Sequence, residues 1–140
     1  MSGVPFVVFD TSTLVSAALR PNSKPALALS KALATGILCA SLETLQELES
    51  VLQRDKFDAY LDRSMRLAFI ELVKRRTQLF APDPSAVVNP PCRDLNDNKF
   101  LALAQHINAA RLVSSDDLLI LSPWNEIPIV TPANYLDSLP

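Results

Sequence analysis

The chain has 140 residues, of which 49% are apolar and 20% charged, and its formal net charge is −2. This size and composition predict a single folded domain over residues 1–140 and exclude a disordered chain. No apolar stretch reaches the roughly 18 to 20 residues of a membrane span, which excludes a transmembrane protein. Residues 1–5 contain no basic segment before an apolar run. This start favours a cytoplasmic protein without a secretory signal.

Three residue types are too scarce for several common functional sites. The two glycines, Gly3 and Gly36, cannot form a glycine-rich phosphate loop, which excludes nucleotide sites of that kind. The single histidine, His106, excludes zinc sites built on histidine clusters. Cys39 and Cys92 match neither a zinc nor a redox spacing, and we interpret both as reduced thiols. The net charge argues against a general attraction to nucleic acid but allows a local basic patch.

Short apolar runs alternate with amphipathic segments along the chain. In chain order, the pattern predicts a strand at 4–9, helices at 13–19 and 25–35, a strand at 37–40, helices at 43–52 and 64–79, a helix at 96–107, strands at 111–114 and 127–130, and a terminal turn or short helix at 132–139. Residues 81–91 contain four prolines, which predict a stiff loop within the domain. The alternation predicts a parallel sheet covered by helices on both faces. Ligands of such sheets bind at the carboxyl ends of the strands.

Acidic residues lie at or shortly after these predicted strand ends. They are Asp10, Glu47, Asp94, Asp97, Asp116 and Asp117. Carboxylates that lie close together repel one another unless they are protonated or neutralised by a cation. Oxygen ligands without His or Cys favour a hard ion, Mg²⁺ or Mn²⁺. Because such an ion activates water and stabilises charge on a phosphoryl oxygen, the pattern predicts metal-dependent phosphodiester hydrolysis.

These carboxylates also have structural explanations when each is taken alone. Asp97 suits the start of a helix, Glu47 suits a solvated helix face, and the pair Asp116 and Asp117 suits a turn. Asp10 is different, because a carboxylate directly behind a buried strand is costly without a partner. The functional interpretation therefore depends on the set.

The order of these residues resembles the PIN-domain family over nearly the whole chain. The matching segments are residues 9–17, 44–48, 93–104 and 112–116. The third segment, which contains Asp94 and Asp97 in the run DLNDNKFLALA, is the most specific because a strand and Asp116 follow it. Within the family, the resemblance is to the toxin components of bacterial toxin–antitoxin pairs, the VapC-like ribonucleases.

The resemblance implies a fold, an activity and partners. The fold is a three-layer α/β/α sandwich with a central parallel sheet of four to five strands. The activity is that of an Mg²⁺- or Mn²⁺-dependent endoribonuclease, and the partners are an RNA substrate, a cognate antitoxin protein and further copies of the chain in a homodimer or higher homo-oligomer. By position, the catalytic residues correspond to Asp10, Glu47, Asp97 and Asp116.

The same resemblance assigns roles within this set. Asp10, Asp97 and Asp116 would hold the metal directly or through water, and Glu47 would bind a second ion or orient the attacking water as a base. Accessory positions are Thr11, Ser12, Asp94, Ser114 and Asp117. Three positions depart from the family pattern: Ser12 stands where Asn is usual, Ser115 stands where Gly is usual, and Leu118 removes a second carboxylate unless Asp117 replaces it. Ser12 and Leu118 motivate an alternative, a catalytically weak or inactive scaffold that binds RNA or protein.

Single-stranded or looped RNA is the predicted substrate, because its backbone bends into a shallow acidic site more easily than a duplex. The candidate contacts are Lys99, Arg20, Lys24, Arg54 and Lys56. A second basic group on the predicted helix 64–79 is interpreted as a solvated face: Arg66, Lys74, Arg75 and Arg76.

Other classes fit the sequence less well. An aspartyl-phosphate phosphatase needs a second Asp at position 12, which is Ser12, and a receiver domain needs an acidic pair near the first strand, where only Asp10 stands. The weakly charged helix segment 26–34 suggests a buried dimer face. His106 and Trp124 are interpreted as structural.

Overall fold

A five-stranded parallel sheet runs through the centre of the computed structural model, which describes residues 3–138. Its strands are β1 (Phe6–Phe9), β2 (Ile37–Ser41), β3 (Gln78–Phe80), β4 (Arg111–Val113) and β5 (Ile129–Val130), in the order β3-β2-β1-β4-β5. The helices are α1 (Thr11–Leu19), α2 (Lys24–Thr35), α3 (Leu42–Leu52), α4 (Arg63–Arg76), α5 (Asn98–Ile107) and α6 (Pro132–Asp137). Short 3₁₀ helices cover Asp55–Ala59, Leu95–Asp97 and Asp117–Leu121.

Both faces of the sheet are covered, so the predicted three-layer α/β/α sandwich is confirmed. Val7 and Phe9 of β1 pack in one hydrophobic cluster with residues of α1 to α4, whereas Val8 packs in the other with residues of α5. Side chains alternate between the two faces of a strand, which explains why all three positions of this run are apolar and buried. The strand order reverses at β1, between β2 on one side and β4 on the other. This reversal is the point at which such sheets bind ligands.

The first helices begin and end where local capping signals predict. Asp10 accepts a hydrogen bond from the backbone N–H of Thr13 and caps α1, and Ser41 caps α3. Gly36 ends α2, where an added Cβ would lie 3.0 Å from the carbonyl oxygen of Pro5. This close approach explains why glycine stands at this position.

One predicted helix extends too far at its carboxyl end. The helix predicted at 64–79 stops at Arg76, Thr77 is extended, and Gln78–Phe80 forms the edge strand β3 beside β2. The apolar spacing of Leu79 continues the helical pattern, so the sequence does not mark the change. Backbone hydrogen bonding to β2 decides it, because a β-branched residue such as Thr77 adopts extended conformation readily.

The prediction that Arg66 lies on a solvated basic face is also wrong. Arg66 is 1% exposed, and its Nη2 pairs with the Asp58 carboxylate. Its Nε donates to the carbonyl oxygen of Leu61 at 2.9 Å, and its Nη1 donates to those of Leu52 at 2.8 Å and Arg54 at 3.1 Å. Among the described residues, the carbonyl oxygens of Leu52, at the end of α3, and Leu61, before α4, have no backbone donor, so the guanidinium supplies one. The carbonyl oxygen of Arg54 also accepts from the backbone N–H of Phe57 at 3.1 Å.

Several other interpretations can be compared directly with the structure. Cys39 and Cys92 are buried free thiols, as predicted. Trp124 is buried and its indole donates to the carbonyl oxygen of Pro90 at 2.7 Å, which confirms its structural role. The predicted terminal element is the helix α6, and residue 139 of that prediction lies outside the described residues. Within residues 3–138, no helix is both long and apolar enough to cross a membrane.

A two-residue turn before β5 offers a test of backbone strain. Asn125 and Glu126 have φ values of 47° and 72°, and Trp124 and Ile127 on either side exchange backbone hydrogen bonds at 2.9 and 2.8 Å. Such turns favour glycine at the second position, because other side chains crowd the backbone there. Replacing Glu126 by Gly is therefore expected to raise the free energy of unfolding by about 0.5–1 kcal/mol in a denaturant titration. The Glu126→Ala variant keeps the Cβ and serves as control; equal stability of the two variants would contradict the prediction.

Candidate active site

A cleft of about 540 Å³ opens where β1 and β4 end. Its acidic lining consists of Asp10, Glu47, Asp94, Asp97 and Asp116. These side chains come from four separate parts of the chain: the end of β1, the middle of α3, the segment before α5 and the segment after β4. We call this feature the acidic cleft. The structure thus brings together the four acidic residues predicted as catalytic.

Two serine hydroxyls link the carboxylates of Asp10 and Asp116. Ser114 Oγ lies 2.6 Å from Oδ2 of Asp10 and 3.2 Å from Oδ1 of Asp116, and Ser12 Oγ lies 3.2 and 3.0 Å from their other oxygens. Asp10 is only 3% exposed. Burial raises the pKa of Asp10 above its ordinary value, although the hydrogen bonds from Ser114 and Thr13 oppose the rise. Each serine hydroxyl can donate to either carboxylate, which fixes the two in one orientation.

Within the part of the chain that the structure describes, Asp97 has fewer hydrogen-bond partners than the other carboxylates of the cleft. It occupies the first position before α5, but its side chain accepts no capping hydrogen bond there. Partial burial, followed by the charges of Asp116 and Asp94, raises the pKa of Asp97 to about 6. A helix-capping role therefore does not explain this residue, whereas a bound cation would relieve the repulsion.

Glu47 is held by a network of donors. Thr11 Oγ1 donates to its Oε1 at 2.5 Å, and its Oε2 accepts from Lys99 Nζ at 2.8 Å and from Asn96 Nδ2 at 3.0 Å. Burial disfavours the charged form, but the bonds from Lys99 and Thr11 outweigh it and hold the pKa of Glu47 below its ordinary value. Glu47 is thus a fixed carboxylate anion and not a solvated helix residue.

The ion pair between Lys99 and Glu47 can be tested by its pH dependence. Because the folded-state pKa of Glu47 is lowered, the pair stabilises the fold above the unfolded pKa and this contribution is lost as the pH falls through the folded pKa. Replacing Lys99 by Met is expected to lower the free energy of unfolding by about 1 kcal/mol at pH 7 and by less at pH 3. Lys74→Met, which removes the more exposed pair with Glu49, is the matched control. A loss that does not depend on pH would contradict this account.

The donor set of the acidic cleft suits a hard cation that keeps water ligands. Within residues 3–138, no group of three or more His, Cys, Asp or Glu side chains is placed to hold a metal ion, so a cation in the cleft would need water among its ligands. Mg²⁺ commonly binds through one or two carboxylates and completes its shell with water. The linked pair Asp10 and Asp116, with the unsatisfied Asp97 nearby, fits such an open site.

The other predicted site residues divide between the cleft and the surface outside it. Thr11, Ser12 and Asp94 line the cleft, and Ser114 contacts two of its carboxylates. Asp117 does not line it: its carboxylate pairs with Arg93 at 2.6 Å. It therefore takes no place in the acidic lining.

The basic residues predicted to contact RNA also fall into two groups, inside and outside the cleft. Arg20 and Arg54 line the acidic cleft, whereas Lys24 begins α2 and is not part of its lining. Lys99 is engaged by Glu47 and Asn96, so it is not a free cation for a phosphate.

Sequence reasoning missed the Glu47 donor Asn96 and the cleft residues Phe57 and Tyr60. Asn96 lies inside the DLNDNKF run and could have been found by its position between Asp94 and Asp97. Phe57 and Tyr60 carry no such signal, because they lie in and directly after a short 3₁₀ helix whose position depends on contacts with Arg66 of α4.

The three-layer fold and the acidic cleft at the reversal of strand order define a class of α/β/α domains with an open site lined by carboxylates. A comparison with family models places the chain within this class: a model described as PIN domain matches residues 6–117. The chain therefore belongs to the PIN-domain family, and the resemblance seen in the sequence is confirmed. No curated protein matches the chain significantly.

Solved structures similar to this one share its fold. VapBC2 from Rickettsia felis, bound to a DNA fragment from its promoter, is 13% identical with a TM-score of 0.62, over 90% of this chain and 98% of that chain. VapC20 from Mycobacterium tuberculosis, described as a Sarcin-Ricin loop cleaving toxin, is 9% identical with a TM-score of 0.57, over 87% and 98%. FitAcB from Neisseria gonorrhoeae is 18% identical with a TM-score of 0.56, over 91% and 98%.

Proposed function

We propose that this protein is a metal-dependent endoribonuclease that hydrolyses RNA phosphodiester bonds in the acidic cleft. The observation that carries the proposal is the convergence of carboxylates from four parts of the chain, among them Asp97, whose side chain has no capping bond and whose pKa is raised to about 6. The repulsion between these carboxylates lowers the stability of the fold, and a bound cation would neutralise it. Membership of the PIN-domain family and the description of VapC20 as a loop-cleaving toxin support RNA as the substrate class.

Asp10, Asp97 and Asp116 would hold Mg²⁺ or Mn²⁺, directly or through water. When bound, such an ion activates water and stabilises negative charge on a phosphoryl oxygen. The hydroxyls of Ser12 and Ser114 hold Asp10 and Asp116 in one orientation, so the ligands are arranged before the ion arrives. Ser12 thus supplies a hydrogen bond at the position where the family usually has Asn.

Glu47 would orient the attacking water. Its Oε2 is occupied by Lys99 and Asn96, whereas its Oε1 accepts, among residues 3–138, only the bond from Thr11 and keeps a free lone pair. Because its pKa is lowered, Glu47 stays ionised and accepts a hydrogen bond from water at neutral pH. We therefore assign it the positioning of water in preference to a second ion.

The cellular role forms the wider part of the proposal: a cytoplasmic toxin that is held inactive by an antitoxin protein and that acts as a homodimer or higher homo-oligomer. The similarity in fold to VapBC2 and VapC20 supports this role. In the helix segment 26–34, Ala28, Leu29 and Ala32 are buried within the chain itself, so a dimer face there would use the exposed Leu27. Sedimentation at micromolar concentration distinguishes a monomer from a dimer.

Cleavage of a mixed single-stranded RNA tests the nuclease directly. The wild type is expected to cleave with Mg²⁺ or Mn²⁺ and not with EDTA, and Asp10→Asn and Asp116→Asn are expected to abolish cleavage. Asp117→Asn is the matched control, because it removes the neighbouring carboxylate, which lies outside the cleft. If folded wild-type protein cleaves with neither ion, the proposal fails and the alternative, a scaffold that binds RNA or protein, takes its place.

A further inference from the structure

One wall of the acidic cleft is a short segment between α3 and α4. Residues 54–60, which we call the cleft rim, contain the 3₁₀ helix Asp55–Ala59. The buried guanidinium of Arg66 bonds to the carbonyl oxygens of Leu52 and Leu61 on either side of the rim. The rim is therefore fixed at both ends and presents its side chains to the cleft in a defined position.

The rim presents two aromatic side chains with different surroundings. Phe57 is half-buried and packs against the hydrophobic cluster that contains residues of α1 and α3. Tyr60 also lines the acidic cleft, but it is 66% exposed. Packing therefore accounts for Phe57 and leaves Tyr60 without a structural role.

Two arginines accompany Tyr60 in the cleft lining. Arg20 follows α1 and Arg54 begins the rim, and both side chains are exposed. Neither arginine forms an ion pair within residues 3–138, although five carboxylates line the same cleft. Two cations that stay unpaired in an acidic cleft are suited to a polyanion that enters it.

The helices set the spacing between the carboxylates and these groups. Helix α1 runs from Thr11, beside Asp10, to Leu19, beside Arg20, a rise of roughly 13 Å. Along α3, Leu52 follows Glu47 by five residues, a rise of roughly 7 Å, and Arg54 lies two residues after the end of this helix. These separations place the two arginines beyond a phosphate at the carboxylates, at the position of a flanking nucleotide.

We infer that Tyr60, with Arg20 and Arg54, forms a subsite that stacks one unpaired nucleobase of the RNA strand and contacts its phosphate. The inference rests on the proposed ribonuclease function and deepens it by naming how single-stranded RNA is selected. An exposed aromatic ring stacks with any base, and arginine adds both charge and a planar face. A base within a duplex is already stacked on its neighbours, so the subsite favours unpaired RNA.

Binding measured in EDTA separates this subsite from catalysis. The probe is a short single-stranded RNA that carries the fluorescent base 2-aminopurine at successive positions. The wild type is expected to quench the fluorescence at one position, and Tyr60→Ala is expected to remove that quenching and weaken binding about 5- to 100-fold. Tyr60→Phe keeps the ring and is expected to bind within about twofold of the wild type. Because Tyr60 is largely exposed, the Ala variant should fold, and its thermal unfolding checks this.

The arginines are tested by the salt dependence of the same binding. Arg54→Ala is expected to reduce the slope of log affinity against log salt by about 0.7, the value for one lost phosphate contact on a single strand. Arg75→Ala, which removes an exposed charge on α4 outside the cleft, is the matched control and should leave the slope unchanged.

The outcomes distinguish the subsite from the nuclease. If the wild type and Tyr60→Ala show equal RNA affinity and equal quenching, the subsite is overturned even if the wild type cleaves RNA. Tyr60 would then be a candidate contact for a protein partner. Dependence of binding on Tyr60 together with no cleavage under any ion overturns the nuclease and supports the subsite. Failure of the folded wild type to bind RNA in EDTA overturns the subsite alone, because the nuclease is tested by cleavage with a metal ion.

Discussion

Asp97→Asn is expected to be more stable than the wild type without metal, yet at least about 100-fold less active with it. The activity falls because the variant removes a proposed ligand and leaves charge on the phosphoryl oxygen without its full stabilisation. The stability rises because burial and the neighbouring carboxylates oppose the charge on Asp97. Opposite effects of one substitution on stability and activity are typical of a functional site.

The pH dependence of this stability effect follows from the pKa. The pKa of Asp97 is raised to about 6 in the folded protein from 3.8, so its contribution is complete below pH 3.8 and is lost as the pH rises through 6. In EDTA at pH 8, Asp97→Asn is expected to gain about 1 kcal/mol in free energy of unfolding, the shift being discounted for solvent screening. At pH 3.5 the gain should vanish.

Thermal and denaturant unfolding at the two pH values measure this effect. Asp117→Asn is again the control, because the partner of that carboxylate is Arg93 and its removal should bring no gain. Addition of Mn²⁺ should stabilise the wild type by mass action and stabilise Asp97→Asn much less. A variant that is less stable than the wild type at pH 8 in EDTA would show that Asp97 is a structural residue.

Arg66→Met is expected to lower the free energy of unfolding by about 2–4 kcal/mol, because two backbone carbonyl oxygens lose their donor. The Met side chain fills part of the same space but cannot donate, so the carbonyl oxygens of Leu52 and Leu61 lose their donor, whereas that of Arg54 keeps the backbone N–H of Phe57. The same change releases the cleft rim, and RNA binding should weaken with it. A urea titration measures the loss of stability.

Two variants sharpen this test. Arg75→Met removes an exposed charge from the same helix and should change stability by less than about 0.5 kcal/mol. Asp58→Asn removes only the carboxylate partner of Arg66, and the Asp58 side chain is 62% exposed, so its cost should stay below about 1 kcal/mol. A loss for Arg66→Met as small as that for Arg75→Met would contradict the anchoring role.

Much of the framework could be predicted from sequence because it depends on local pattern. The run before Asp10 predicts a buried strand, and Ser41 predicts the start of a helix, because alternation of faces and capping involve only neighbouring residues. The acidic set could be predicted because residues at the ends of parallel strands meet at one edge of the sheet. Its order in the chain then matched the PIN-domain pattern.

The errors share a physical cause. The edge strand Gln78–Phe80 and the buried Arg66 depend on groups distant in sequence: the backbone of β2 in the first case, and carbonyls up to 14 residues earlier in the second. Likewise, the position of Lys99 beside Glu47 cannot be inferred from either segment alone. A long charged side chain has the same sequence signal whether it is solvated or buried with partners.

The sequence by itself determined the α/β class, the strand that carries Asp10 and the carboxylates that line the cleft, because periodicity, capping and residue chemistry are local properties. Only the tertiary structure decided which carboxylates are linked by hydrogen bonds, which basic side chains among the described residues form no ion pair, and which segment lines the side of the cleft. Asp116 joins Asp10 through two serines, whereas Asp117, one residue later, turns away to Arg93. The side chains of these two neighbours point in different directions, and the packing of the whole chain sets those directions.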